Sequence, residues 1–347
     1  MAMNETATTD AALLGVLQET VPFTRRPFAD LGKRCGLTED ETLARVQALK
    51  EAKVIRQISA IFDTRSLGYA SSLVAAKIAP EKLDAAVEII NSHPGVSHNY
   101  LRNHDFNLWY TIAIPPTSQL GLDGTMELLH RLSGAESTRL LPTLRLFKIG
   151  VRFDVEGSAK PGDQTKPAYT EASRIDAGPL TEKEIEFVRV MQRDLAIVPE
   201  PFVAAAEELG LSLDEAAAMH AKFLASGRMR RFAAVLHHRK AGFGANAMGV
   251  WAGPQDEPEA LKKLGETMAG FSAVSHAYQR PSYPEWPYNL FTMVHGKSEE
   301  ECEQTLTAIA EATGITDRHA LYSNKEFKKV RVRYFTDEET EWEHRMS

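Results

Sequence analysis

Apolar and polar positions along this chain switch between two periods, and the switches divide it into elements. Apolar residues at three- and four-residue spacing predict helices over 10–21, 26–35 and 38–52, and again over 182–197, 200–209 and 213–226. Thr38 with Glu41, Thr181 with Glu184 and Ser212 with Glu215 have capping-box spacing, in which each side chain bonds the other residue's unpaired backbone N–H. With Gly36 and Gly210 ahead of the third helix of each set, the helices read as two helix-turn-helix units. Strand and helix patterns then alternate. The first stretch predicts strands over 54–63, 68–79, 95–102, 107–114 and 139–153, with helices over 81–92 and 120–132. The second predicts strands near 228–237, 244–252, 273–280, 288–295 and 329–335, with helices near 258–269 and 298–312. The βαββαβ order implies an α+β fold with ferredoxin-like sandwiches of antiparallel strand pairs.

The order recurs because the chain carries two copies of one sequence. VSHNYLR, from Val96 to Arg102, returns as VSHAYQR, from Val274 to Arg280, with five of seven residues identical. VIRQISAIFDTRSLGY, from Val54, returns as RMRRFAAVLHHRKAGF, from Arg228, keeping Arg56, Ala60, Arg65 and Gly68 as Arg230, Ala234, Arg239 and Gly242. Asn107-Leu108 matches Asn289-Leu290, and Phe147-Lys148 matches Phe327-Lys328. A Gly-, Pro- and Ser-containing stretch between the copies reads as a linker. The division expected is a helix-turn-helix unit over 1–53, a sandwich over 54–154, a linker over 155–180, a second helical unit over 181–227, a second sandwich over 228–336, and a tail over 337–347.

Composition narrows the function class. A chain of 347 residues with 43% hydrophobic and 25% charged residues is globular and long enough for two domains, which excludes disordered, collagen-like and disulfide-scaffold proteins. Forty basic against 47 acidic side chains leave a net charge of −7, which argues against a life on nucleic-acid phosphates. Cys35 and Cys302 lie in different halves with no Cys/His cluster, so zinc or iron–sulfur chemistry is not expected. With no leader pattern and no long apolar run, a soluble cytoplasmic protein is expected.

A helix-turn-helix followed by βαββαβ resembles the Lrp/AsnC architecture. The strings RRFAAVLHHRKAGFGANAMGVW and VSHAYQRPSYPEWPYNLFTMVHG resemble one subunit type of siroheme decarboxylase. VIRQISAIFDTRSLGYASSLVAAKI and HPGVSHNYLRNHDFNLWYTIAIPP resemble the partner type. The resemblance spans nearly the whole chain except the linker and the two ends, as a fusion of both types would. It implies loss of CO2 from two acetate side chains of siroheme, giving 12,18-didecarboxysiroheme on a route to heme d1 or haem. No organic cofactor is implied, and iron enters as part of the substrate.

A flat iron tetrapyrrole with eight carboxylates calls for cations at a rim, an apolar bed and an axial donor to iron. Residues 228–240 supply Arg228, Arg230, Arg231, Arg239, Lys240, His237 and His238 without one acid, and a guanidinium can grip a carboxylate with two parallel hydrogen bonds. Strand alternation puts Arg230 and His238 on one face and Arg231, His237 and Arg239 on the other. A solvated basic hairpin is the plainer reading of the same run. His237 or His238 is the candidate axial ligand and, with His276 and Tyr278, a candidate acid. His276, Tyr278 and Arg280 alternate on one strand, as do His98, Tyr100 and Arg102, so each set shares a face. Arg280, His98, Tyr100, Arg102 and His104 complete the expected substrate-binding set.

His237-His238 and Lys240 stand where the first copy has Asp63-Thr64 and Ser66, so one dominant site in the second copy is expected, completed by the first. His130, His220, His319 and His344 fall in helical or terminal contexts and read as structural. Phe106, Trp109, Trp251, Tyr283, Trp286 and Tyr288 suit either the macrocycle or an ordinary core. The proline-rich run 281–287 suits either a pocket cover or a rigid turn.

The competing class is a tetrapyrrole-sensing regulator. Its third helices should offer bases to a groove, yet 38–50 and 212–226 carry more acids than bases. A tetrapyrrole carrier without catalysis is a third class. The expected partners are the tetrapyrrole itself and the chain's own second copy in an intramolecular pseudo-dimer, with no nucleic acid or membrane. Further homo-oligomerisation is left open.

Overall fold

The computed structural model describes residues 2–149, 178–236 and 245–346. Two units emerge. One is drawn from the described parts of 1–68, 174–240 and 333–336, and the other from those of 69–173, 241–332 and 337–347.

The first unit holds helices α1 (Ala2–Glu19), α2 (Pro27–Cys35), α3 (Glu39–Glu51), α6 (Glu182–Met191), α7 (Pro201–Glu208) and α8 (Leu213–Ala225) with strands β1 (Ile55–Phe62) and β7 (Met229–Leu236). All three expected capping boxes form, with each Glu carboxylate accepting from the cap residue's backbone N–H at 2.8 Å. The sequence pattern places β1 and β7 at the head of the two sandwiches. In the structure they pair with each other, antiparallel, with Ile58 opposite Ala234. The reason is burial, because Ile58, Phe232 and Ala233 sink into a helical core with Leu17, Phe28, Val46, Phe202 and Phe223. α6 stops at Met191, short of the expected 197, because Leu195 donates its backbone N–H to the Ile58 carbonyl at 2.7 Å. The residues after the helix thereby serve β1.

The second unit contains β2 (Ala70–Lys77), α4 (Leu83–Ser92), β3 (Val96–Arg102), β4 (Leu108–Ile114), α5 (Gly121–Ser133), β5 (Ser137–Leu141) and β6 (Arg145–Ile149) from the first copy. The second copy gives β8 (Ala245–Trp251), α9 (Pro258–Gly270), β9 (Val274–Gln279), β10 (Leu290–Gly296), α10 (Glu299–Thr313), β11 (Arg318–Lys329) and α11 (Glu338–Met346). Among the described residues the strand order is β5-β2-β4-β3-β11-β8-β10-β9-β6. Each βαββαβ motif buries one sheet face under its own helices, with Val74, Ile90, Ile112 and Leu129 in the first and Trp251, Leu261, Val294 and Leu306 in the second. A third cluster draws on both copies and includes Trp109, Phe106, Met248, Trp286 and Phe291.

The copies exchange strands. The first half of β11 pairs with its own β8 and the second half with β3 of the first copy. β5 pairs with its own β2 while β6 crosses to β9 of the second copy. Pro142 falls between β5 and β6, where it cannot donate to a ladder, whereas β11 runs unbroken. The strand expected near 329–335 therefore lies at 318–329.

Each exchanged strand carries a buried or half-buried lysine that meets the other copy's helix end. Lys148 donates to the Phe271 carbonyl after α9 at 2.8 Å, and Lys328 to the Asn91 and His93 carbonyls after α4 at 2.6 and 3.1 Å. Helix C-termini present unpaired carbonyls and favour cations, so these ammoniums fit. The expected tail is helical. Trp342 of α11 enters the first sandwich's core and donates to Ser92 at 3.0 Å, and Glu343 accepts the Gln119 and Leu120 N–H groups beside the start of α5.

Candidate functional site

β3 and β9 place the paired His/Tyr sets as alternation predicts. The His98 and Tyr100 rings lie 6.2 Å apart at 27°, and those of His276 and Tyr278 lie 6.0 Å apart at 26°. All four are partly exposed. Tyr278 packs against the cluster shared by the two copies.

Both strands are irregular at one point. In β3 the ladder with β4 jumps from Val96–Ile112 to His98–Thr111, and in β9 the ladder with β10 jumps from Val274–Val294 to His276–Met293. The residue passed over is a serine each time. A bulge of this kind breaks strict alternation and re-aims a side chain. Ser97 Oγ accordingly lies 2.9 Å from His98 Nδ1 and 2.7 Å from Thr111 Oγ1. Ser275 Oγ lies 2.8 Å from His276 Nδ1 and 2.7 Å from His295 Nε2. Strand periodicity alone assigns these serines to the opposite face, so neither they nor His295 stood out in the sequence.

The two arginines of the repeated strings, expected on substrate carboxylates, bind backbone carbonyls of the other copy. Arg102 is buried and donates to the Leu321 carbonyl at 2.6 Å. Arg280 is buried and donates to the matching Leu141 carbonyl, and to Thr143 Oγ1 at 3.3 Å. Each guanidinium thus ties one copy to the backbone of the other, and each lies over the preceding tyrosine, at 5.5 Å from Tyr100 and 4.6 Å from Tyr278. Burial lowers the Arg102 pKa to about 10.

His104, on the turn after β3, accepts the Phe106 N–H at Nδ1 and meets the Trp286 ring at 5.2 Å and the His319 ring at 5.7 Å. Burial, and then proximity to His319, push its pKa down. His319 lies on β11, not in a helix or at a terminus, so its expected context is corrected. His130 and His220 are helical as expected, and His220 stacks on Phe23 at 4.7 Å.

The aromatic residues resolve toward the core. Phe106, Trp109, Trp251, Trp286 and Tyr288 are buried, with Trp251 inside the second sandwich and the others in the shared cluster. Tyr283 donates its hydroxyl to the Leu140 carbonyl at 2.6 Å. The proline-rich run closes through paired Tyr283 and Trp286 backbone bonds at 2.8 and 2.9 Å, a tight turn that carries Trp286 inward.

On β7 of the other unit, Arg228 is buried, with Nη1 3.2 Å from Glu184. Arg228, expected on a substrate carboxylate, thus pairs with a carboxylate of the helical unit. Arg230 meets the buried Asp63 at 2.7 Å and keeps part of its side chain exposed, while Arg231 is exposed. His237, His238, Arg239 and Lys240 lie outside the described residues.

Comparison with known proteins agrees with this two-copy arrangement. A model described as "AsnC-like ligand binding domain" matches residues 66–148 and 240–328, and one described as "Siroheme decarboxylase NirDL-like HTH domain" matches 10–56. A siroheme decarboxylase of Hydrogenobacter thermophilus is 38% identical, over 95% of this chain and 96% of its own. The siroheme decarboxylase beta subunit of Methanosarcina barkeri is 42% identical and aligns over 44% of this chain but 99% of its own, as expected where two subunit types are fused. The crystal structure of the siroheme decarboxylase NirDL with an iron-uroporphyrin III analogue superposes with a TM-score of 0.76 at 33% identity, covering 97% of this chain and 98% of that one. With full-length identity, matching fold and both copies accounted for, this chain belongs to the siroheme decarboxylase family.

Proposed function

We propose that this protein removes CO2 from two acetate side chains of siroheme, with the second copy's β9 supplying the acid. The observation that carries the reading is identity to a siroheme decarboxylase along nearly the full length of both chains. The product is 12,18-didecarboxysiroheme, feeding heme d1 or haem synthesis in the cytoplasm, and the substrate brings the iron.

A pyrrole acetate loses CO2 when the ring can take up the electrons left behind. Protonation of a ring carbon provides that sink, CO2 departs to leave an exocyclic methylene, and a second protonation with loss of the ring proton gives a methyl group. Each acetate therefore consumes one proton overall. Imidazole titrates near neutral pH, which suits His276 to this donor role, with the Tyr278 phenol beside it. His98, Tyr100 and His104 are the first copy's contribution to substrate binding. The roles of Arg230, Arg231, Arg239 and Lys240 toward carboxylates, and of His237 or His238 toward iron or as acid, rest on residue chemistry alone. No organic cofactor enters this scheme.

Anaerobic incubation with siroheme, followed by product mass, tests the reading. Successive loss of two CO2 is expected, slowed in His276→Ala and in His238→Ala. Binding of siroheme with no change in mass would replace catalysis by carriage or sensing.

A further inference from the structure

His295 has no part in the scheme above, yet it lies within one hydroxyl of the proposed acid. It belongs to β10 and is partly exposed, and its Nε2 is 2.7 Å from Ser275 Oγ. The same hydroxyl is 2.8 Å from His276 Nδ1, with a longer contact of 3.3 Å to the Met293 carbonyl. Ser275 is buried, and the bulge in β9 turns it toward both rings. The first copy repeats the bulge and the Ser–His contact, but its serine meets Thr111, whose hydroxyl also lies 3.4 Å from His98 Nδ1, and Ala113 stands where the second copy has His295.

A hydroxyl owns one proton and accepts through its lone pairs, so between two imidazoles it transmits polarity. When His295 donates Nε2–H to Ser275, and the serine proton takes the shorter contact to His276 Nδ1 over the longer one to the Met293 carbonyl, a neutral His276 carries its own proton on Nε2. With the polarity reversed, His276 donates from Nδ1 and Nε2 becomes an acceptor. A neutral histidine can act as an acid from Nε2 only in the first arrangement. The partner of one ring nitrogen determines the tautomer at the other.

We propose that His295, acting through Ser275, is a positioning residue that fixes His276 in the tautomer bearing its proton on Nε2. This rests on the assignment of His276 as acid. In the first copy the hydroxyl of Thr111, not an imidazole, meets the corresponding serine.

The experiment is carried out on the full chain. Nitrogen-15 NMR of the His276 ring, assigned with His276→Ala, reads the tautomer without turnover, and siroheme titration and CO2 release read binding and kcat. Expected in Ser275→Ala and His295→Gln are a mixed His276 tautomer, unchanged siroheme affinity and a kcat lower by roughly 10²-fold, within the range of acid–base effects. Ser275→Thr, which keeps the hydroxyl, should restore both tautomer and rate. The double variant should be no slower than either single one, because the two residues act as one network. An unchanged His276 tautomer in both single variants overturns the proposal, as does an unchanged kcat where His276→Ala is inactive. Absence of CO2 release from the wild-type chain would instead overturn the decarboxylase reading, with the tautomer measurement still deciding the role of His295.

Discussion

His98 and His276 stand on bulged strands with nearly the same ring geometry toward the following tyrosine, but their surroundings diverge. The serine beside His98 leads to a threonine, and the serine beside His276 leads to a second histidine. Asp63 of the first copy is buried and holds Arg230, whereas the matching position of the second copy is His237. Val46 lies in the core of the first helical set where the second has His220. The differences teach where duplication has been allowed to drift. The backbone frame and the strand-crossing arginines stay paired, and the histidines accumulate in the second copy.

The sharpest way to break this comparison is to remove each histidine in turn. His276→Ala should lower decarboxylation by about 10³-fold and His98→Ala by less than about tenfold, as expected if one alone donates the proton. Equal losses, measured as initial rates of CO2 release with siroheme saturating, would make the copies equivalent.

His220 tests the helical sets. Burial depresses its pKa to about 4 from an ordinary value of 6.5, so the folded state holds it neutral. Between those values the unfolded chain binds more protons, so stability present above pH 6.5 is lost as pH falls toward 4. The shift corresponds to on the order of 3 kcal/mol. Replacing His220 with Val, the first copy's residue at that position, should flatten this slope in urea unfolding followed from pH 7 to pH 4. An unchanged slope would place the acid sensitivity elsewhere.

A smaller effect is expected at the exchanged strands. Lys328 serves two helix-end carbonyls and Lys148 serves one. Lys328→Met should therefore cost about 1–2 kcal/mol of unfolding free energy, and Lys148→Met less, because loss of each charge-assisted bond is partly offset by relief of its desolvation. Equal costs would show that burial of the stem, not the carbonyl contacts, carries the lysines' contribution.

Much of the frame was legible in the sequence because it depends on neighbours in the chain. The three capping boxes involve residues three apart, and the His/Tyr faces follow from strand alternation. The repeat announced two copies of one fold. Less of the site was legible. Arg102, Arg228 and Arg280 read as anion binders in the sequence, and that they are buried against protein partners emerges only from the fold, because charge is visible in a sequence and burial is not. Trp286 suited either a macrocycle or a core in the sequence, and the choice of core stayed open there because nothing local marks a turn that carries it inward.

The sequence by itself determined the duplicated helix-turn-helix and sandwich order, the family, and which residue types were present for acid–base and carboxylate chemistry. These are set by local periodicity, by capping and by long matching strings. The tertiary structure decided that β1 pairs with β7, that β6 and β11 cross between copies, and that Ser275 stands between two histidines. Strand partners are chosen by which apolar faces can be buried together. A single bulged residue then turns a side chain to a face that alternation denies it, so no spacing along the chain could bring His276 and His295 to one hydroxyl.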